Sequence, residues 1–206
     1  MLGDLPQWDL SDLYASINDS KLSSDKIEIE ELTDSFINKY QNKIASLSSE
    51  NLNEAIRDYE TINQKLGKLY SYVSLTFSIN TDKPDFGKKY QEIRELGSII
   101  FSKLVFFELE IMNLDDNTSK KYLSDNHLSL WKPWLRKIFQ RKPFQLSNDL
   151  EQFIAEKGPS GRGAWVRLFD ESSSDLRFQI KGDTLSETEI LNLLSDPDPD
   201  LRKDAG

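Results

Sequence analysis

The sequence predicts a mainly α fold: an elongated antiparallel helical bundle followed by shorter helices and one small β-strand or hairpin. Three observations lead there. Apolar residues recur at intervals of three and four through three long segments between residues 25 and 113. The connections between those segments are only a few residues long, which makes successive helices antiparallel neighbours. One short stretch near the C-terminal end changes to a period of two.

The first segment runs from about Asp25 to Leu47. Ile29, Leu32, Phe36, Tyr40, Ile44 and Leu47 occupy one side, and Glu30, Glu31, Asp34, Lys39 and Lys43 the other. Asn51 with Glu54 forms a capping box for a second helix, whose stripe is Leu52, Ala55, Ile56, Tyr59, Ile62, Leu66, Leu69, Tyr70, Val73 and Phe77. The loop Asn80–Lys83 ends it. Pro84 suits a first helical turn, and Phe86, Tyr90, Ile93, Leu96, Ile100, Leu104, Phe107, Ile111 and Leu114 continue the same step to about Asn113. The spacing drifts between three and four and is rich in aromatics, so a globular bundle is expected instead of a coiled-coil rod.

Beyond Leu114 the elements shorten. Thr118–Ser124 reads as one short helix and Leu128–Gln140 as another, opened or interrupted by Pro133. Ser147 caps a helix to about Lys157, Gly158-Pro159-Ser160-Gly161 breaks it, and Ala164–Glu171 is helical again. Leu176, Phe178 and Ile180 then alternate with Arg177, Gln179 and Lys181 before a Gly182-Asp183 turn. Ser186 with Glu189 caps a helix to about Leu194, and Asp196-Pro197-Asp198-Pro199-Asp200 opens one more. The strand Leu176–Lys181 has no evident partner, and the last helix has hardly begun at Gly206. Both features lead us to expect part of a longer protein.

Composition narrows the function. Of 206 residues, 37% are hydrophobic and 11% aromatic, enough for a real core. Asp+Glu 35 against Lys+Arg 26 leave a charge of -9, which opposes binding to a phosphate backbone. With no Cys and a single His, His127, the chain has no cysteine nucleophile, no disulfide and no His- or Cys-rich zinc site. Met1–Leu10 carries Asp4 and Asp9 where a secretory signal needs basic and then apolar residues, so it reads as mature, cytoplasmic protein. The most apolar stretch, Leu96–Leu114, includes Lys103, Glu108 and Glu110, each costing roughly 2.5–3.5 kcal/mol at a bilayer centre, so no membrane span is expected.

Several residues invite functional readings, and each has a plainer one. His127 beside Asp125 and Asn126 could be a ligand or base, but reads better as a surface or capping residue. Trp131, Trp134, Phe139 and Phe144 interleave with Lys132, Arg136, Lys137, Arg141 and Lys142, as single-stranded nucleic-acid binding would use. At helical spacing Trp131, Trp134, Leu135 and Ile138 cover one face for packing, and the basic residues are solvated or dock on an acidic surface. Gly158–Gly163 precedes a helix but lacks the Lys-Ser/Thr of a phosphate loop, so it reads as a hinge. Glu28, Glu30 and Glu31 group as carboxylates do in cation sites, yet on an amphipathic helix they face water. Tyr59, Tyr70, Phe77, Phe86, Tyr90 and Phe107 could line a peptide groove, but a helical aromatic stripe is expected to be core.

Trp8-Asp9-Leu10-Ser11-Asp12-Leu13-Tyr14 resembles the opening of the oligoendopeptidase F family, zinc metallopeptidases related to thimet oligopeptidase. Tyr59 with Leu69-Tyr70-Ser71-Tyr72 is similar to that family's second helix, and Phe106-Phe107-Glu108-Leu109-Glu110 to the end of its third. Ala164-Trp165-Val166-Arg167-Leu168-Phe169 with Leu176-Arg177-Phe178, and then Leu193–Asp198 with Leu201-Arg202-Lys203, resemble the approach to its strand and the junction after it. The resemblance implies a helical domain over residues 1–157 forming one wall of a channel, and residues 158–206 leading into a catalytic lobe. It implies that the complete protein takes oligopeptide substrates and holds zinc through H-E-x-x-H and a further Glu. None of that motif occurs here, so the resemblance assigns no catalytic or metal-binding residue to this chain, leaves its substrate-binding residues unassigned, and predicts the chain alone to be inactive. The competing expectation is a non-catalytic helical module that binds a partner through its apolar stripe.

Overall fold

The computed structural model describes residues 9–81 and 83–206, the side chain of Asn148 excepted. Residues 1–8, with Asp4 and Trp8, and Asp82 of the predicted loop lie outside the described residues. Helix α1 (Ser20–Tyr40) starts where the Asp19 carboxylate accepts the Lys21 backbone N–H at 2.8 Å. Such a cap contributes about 1 kcal/mol. The helix therefore begins before Asp25, and it also ends before the predicted Leu47. Gln41 turns extended, Asn42 takes a left-handed conformation (φ 62°), and a 3-10 turn covers Ile44–Ser46. Asn enters that region more readily than most residues. Ile44 is buried all the same, delivered by the turn instead of the helix.

Helix α2 (Ser49–Ser78) is capped by Ser48, whose Oγ accepts the Asn51 N–H at 3.1 Å. Asn51 is thus a first-turn donor and not the cap. Helix α3 (Pro84–Met112) begins on Pro84 as its fixed φ predicts. With 30 and 29 residues, α2 and α3 are each about 45 Å long. Ion pairs give the directions. Lys39 at the end of α1 reaches Glu54 (2.8 Å) and Asp58 (3.3 Å) near the start of α2, so those helices are antiparallel. Phe77 stacks on Tyr90, and Tyr59 lies against Phe107, which makes α2 and α3 antiparallel too. Lys26–Glu92 and Asp34–Lys103 run α1 alongside α3 in the same direction.

These surface pairs contribute about 0–1 kcal/mol each, so they register the helices without holding them. The seam does the holding. Ile29, Phe36, Ile62, Leu69, Ile93, Ile100 and Phe107 are fully or almost fully buried, at about 1.5–3 kcal/mol per side chain. Thr33 is buried among them without cost, because its hydroxyl donates to the Ile29 carbonyl at 2.7 Å. Tyr72, not the predicted Tyr70, faces inward, and its ring meets that of Tyr14.

Helix α4 (Asp116–Ser124), a 3-10 segment (Asn126–Trp131), α5 (Lys132–Arg141), a second 3-10 turn (Lys142–Phe144) and α6 (Asn148–Lys157) follow. Pro133 lies in the first turn of α5, where its missing N–H breaks no helical bond. Tyr122 is fully buried and donates to the Leu47 carbonyl at 2.8 Å, pinning α4 to the turn ahead of α2. Leu128, Leu135 and Ile138 complete this core.

The chain divides into two compact units, Met1–Glu156 and Lys157–Gly206. The second holds α7 (Arg162–Asp175), β1 (Arg177–Ile180), β2 (Asp183–Ser186), α8 (Glu187–Leu193) and α9 (Pro199–Ala205). The expectation that the strand lacks a partner is corrected: β1 pairs antiparallel with β2, Arg177 opposite Ser186 and Ile180 opposite Asp183. Lys181 (φ 51°) and Gly182 (φ 94°) make the two-residue turn. Positive φ at both positions matches the twist of paired strands. Ser186 then caps α8 in a reciprocal box with Glu189, and the Asp198 carboxylate accepts the Asp200 N–H to open α9.

Candidate functional site

The richest convergence of side chains lies where α1, α2, α3 and α5 meet. The rings of Phe36, Tyr40, Tyr59, Phe106, Phe107 and Trp134 form a continuous cluster with centroid separations of 4.9–6.5 Å. One polar corner opens from it. The Tyr59 hydroxyl lies 3.5 Å from Glu108 Oε1, and Arg141 lies 3.5 Å from Glu108 Oε2. Burial, and then the Glu108 charge, push the Tyr59 hydroxyl up to about 12, so it stays protonated and acts as a donor. Tyr40 behaves alike: its hydroxyl donates to Asp58 at 2.7 Å, and burial is the first cause raising it to about 12. Groups held this firmly neutral lock helices together and are poor proton carriers near neutral pH.

Most of the basic and aromatic segment resolves into packing, with Phe144 left exposed. Trp131 donates its indole N–H to Asn53 at 2.7 Å, Trp134 stacks on Phe107, and Leu135 and Ile138 are buried. Arg141 is engaged with Glu108, and Lys142 donates to the Leu114 carbonyl at 2.6 Å. Arg136 and Lys137 remain on the surface. With its indoles used in this way, the segment offers no row of free rings on which bases could stack.

His127 is 61% exposed at its side chain, with Nδ1 2.9 Å from Asp125 Oδ1. That carboxylate also accepts the His127 backbone N–H at 2.9 Å, which is the main reason its pKa falls to about 2. The pair caps the 3-10 segment. Glu28 is engaged by Lys65 at 2.9 Å, and Glu28, Glu30 and Glu31 are all exposed. Among the described residues, no three His, Cys, Asp or Glu side chains come together in a group that could hold a metal ion. The donors among the described residues do not fit a tetrahedral zinc site.

In the glycine-rich break, the Gly161 N–H donates to Lys157 O at 2.7 Å and the Gly163 N–H to Gly158 O at 2.9 Å. Both are spent on backbone carbonyls and cannot cradle an anion. A Cβ at Gly161 would stand 2.8 Å from Lys157 O, so a residue without one is needed there.

The aromatic stripe divides. Tyr59 and Phe107 belong to the core cluster, whereas Tyr70, Phe77 and Tyr90 form a ladder at the opposite end of α2 and α3. Tyr70 is partly exposed, its hydroxyl 3.3 Å from that of Tyr90, and Lys83 lies over the Phe86 ring. The sequence reading missed the tyrosine latches: Tyr14 on Asp25 (2.8 Å), Tyr40 on Asp58, and Tyr122 on the 3-10 turn. Their partners lie 11 to 78 residues away, so no local spacing marks them.

Known proteins supply a frame for these features. A family model described as Oligopeptidase F matches residues 110–178, the stretch from the end of α3 to β1. An oligoendopeptidase F homolog of Borreliella burgdorferi is 24% identical over 97% of this chain and 33% of its own length. An oligopeptidase of Bacillus subtilis, PepF, is 22% identical over 96% of this chain and 30% of its own length. The solved oligoendopeptidase F of Enterococcus faecium superposes with a TM-score of 0.76 at 19% identity, covering 90% of this chain and 37% of that one, which shows a common fold. The chain thus spans about a third of the length of the curated relatives it matches.

Proposed function

We propose, from the chain's identity as an N-terminal region of the oligoendopeptidase F family, that the complete protein is a zinc endopeptidase acting on short peptides. The observation that carries this reading is the extent of the match: relatives named as oligopeptidases align with 96–97% of the chain. In this reading residues 1–157 form a helical wall and residues 158–206 lead into a catalytic lobe. The division of the chain into units at Glu156 and Lys157 supports that placement. The metal belongs to the lobe, since the donors described here do not make a zinc site. A helical wall of this length would admit flexible peptides and exclude folded proteins. Among the described residues no helix is long and apolar enough to cross a membrane, and we place the protein in the cytoplasm.

The test begins with the coding sequence beyond Gly206. An in-frame H-E-x-x-H, with chelator-sensitive cleavage of short peptides by the complete protein, is the expected outcome. Residues 1–206 alone should hold no stoichiometric zinc after dialysis and cleave nothing. A reading frame that stops at Gly206, or a tightly held zinc and peptidase activity in residues 1–206, overturns the proposal.

A further inference from the structure

Helix α7 has an apolar face that lies exposed. Trp165, Leu168 and Phe169 follow one another at i, i+3 and i+4, and Leu176 at the C-cap extends the same face by two turns. All four are exposed, Trp165 at 72% and Phe169 at 71%, and no residue of α7 is buried. The other side carries Asp170, Glu171 and Ser174, with Arg167 paired to Glu171 at 3.5 Å, and suits water. A two-sided helix whose apolar side lies open marks an interface. Length argues for its occupant. The relatives continue for about twice the length of the part this chain matches, so the proposed complete protein has ample polypeptide to cover the face.

We propose that the Trp165, Leu168, Phe169 and Leu176 face of α7 is the docking surface for the polypeptide that follows this chain in the complete protein. The proposal rests on the functional reading above as regards that continuation, but not on its chemistry. Hydroxyl-radical footprinting of Trp165 and Phe169 tests it, in the complete protein and in residues 1–206. Reactivity should fall several-fold in the complete protein and stay high in residues 1–206 at every concentration. Phe169→Asp should restore Trp165 reactivity and lower the Tm of the complete protein while leaving that of residues 1–206 unchanged. Equal reactivity in the two proteins overturns the docking. So does concentration-dependent protection of residues 1–206, which would make a second copy the occupant, or a reading frame that stops at Gly206. Peptidase assay separates the two readings: an inactive complete protein with protected Trp165 sinks the enzyme but keeps the docking, and an active one with reactive Trp165 does the reverse.

Discussion

Tyr122 makes one of the longest links in the chain, reaching from α4 to the carbonyls of Leu47 (2.8 Å) and Ile44 (3.3 Å). Tyr122→Phe keeps the ring and strands the Leu47 carbonyl, while that of Ile44 still accepts the Leu47 N–H at 3.2 Å, and a buried acceptor without a partner costs about 1–2 kcal/mol. Urea unfolding should show that loss with an unchanged slope, whereas an unaltered midpoint would mean that water replaces the hydroxyl. Asp125 offers a different handle, because its charge is what caps the 3-10 segment. Its folded pKa is depressed from 3.8 to about 2, chiefly by the His127 backbone N–H. A depressed carboxyl stabilises the fold fully above its unfolded value and loses that contribution as pH falls through the folded one. Stability should therefore decline between pH 3.8 and about 2, and Asp125→Asn should flatten that part of the profile. An Asp125 carboxyl resonance titrating near 3.8 would contradict the cap.

At the scale of elements, the β-hairpin rests on a turn that only certain backbones tolerate. Gly182 sits at φ 94° with open space where a methyl group would stand, so conformation and not crowding decides the outcome there. Gly182→Ala should cost the hairpin about 1 kcal/mol or somewhat more. The loss of the β1–β2 cross-strand NOEs would report it, and an intact hairpin would mean the turn can change type. Elements of this kind were legible wherever local chemistry dominates: Pro84 starting α3, Ser186 with Glu189 capping α8, and Asp198 opening α9. They were illegible where distant packing chooses. The stripe of α1 continues in sequence through Ile44, yet the chain breaks at Asn42 so that Glu110 on α3 can accept the N–H groups of Asn42 (2.7 Å) and Ile44 (3.3 Å). Tyr70 and Tyr72 are equally apolar in pattern, and it is Tyr72 that turns inward, against the ring of Tyr14 from a preceding loop. Of the candidate site, the sequence marked the aromatic residues but not which of them the core would absorb, since that depends on α5 folding back over Tyr59 and Phe107.

For the whole molecule, the decisive asymmetry is where apolar surface is buried. Among the described residues, every buried hydrophobic side chain but Ile180 lies in the first unit. The second, Lys157–Gly206, keeps its local order through caps, a hairpin and the Lys181–Asp204 ion pair at 2.9 Å. Exposed ion pairs and caps supply about 1 kcal/mol each or less, against an ordering cost of about 1–2 kcal/mol per residue. A segment of that length without a core is therefore marginal, while α1, α2 and α3 share a seam that opens only with global unfolding. Hydrogen exchange on residues 1–206 should find the amides between Asp25 and Asn113 slow and those from Leu176 to Gly206 fast. In urea, the fast segment should lose structure first. If both units of a dilute monomer exchange at the same slow rate, the second unit has a source of stability that its caps and hairpin do not provide, and α7 would be where to look for it.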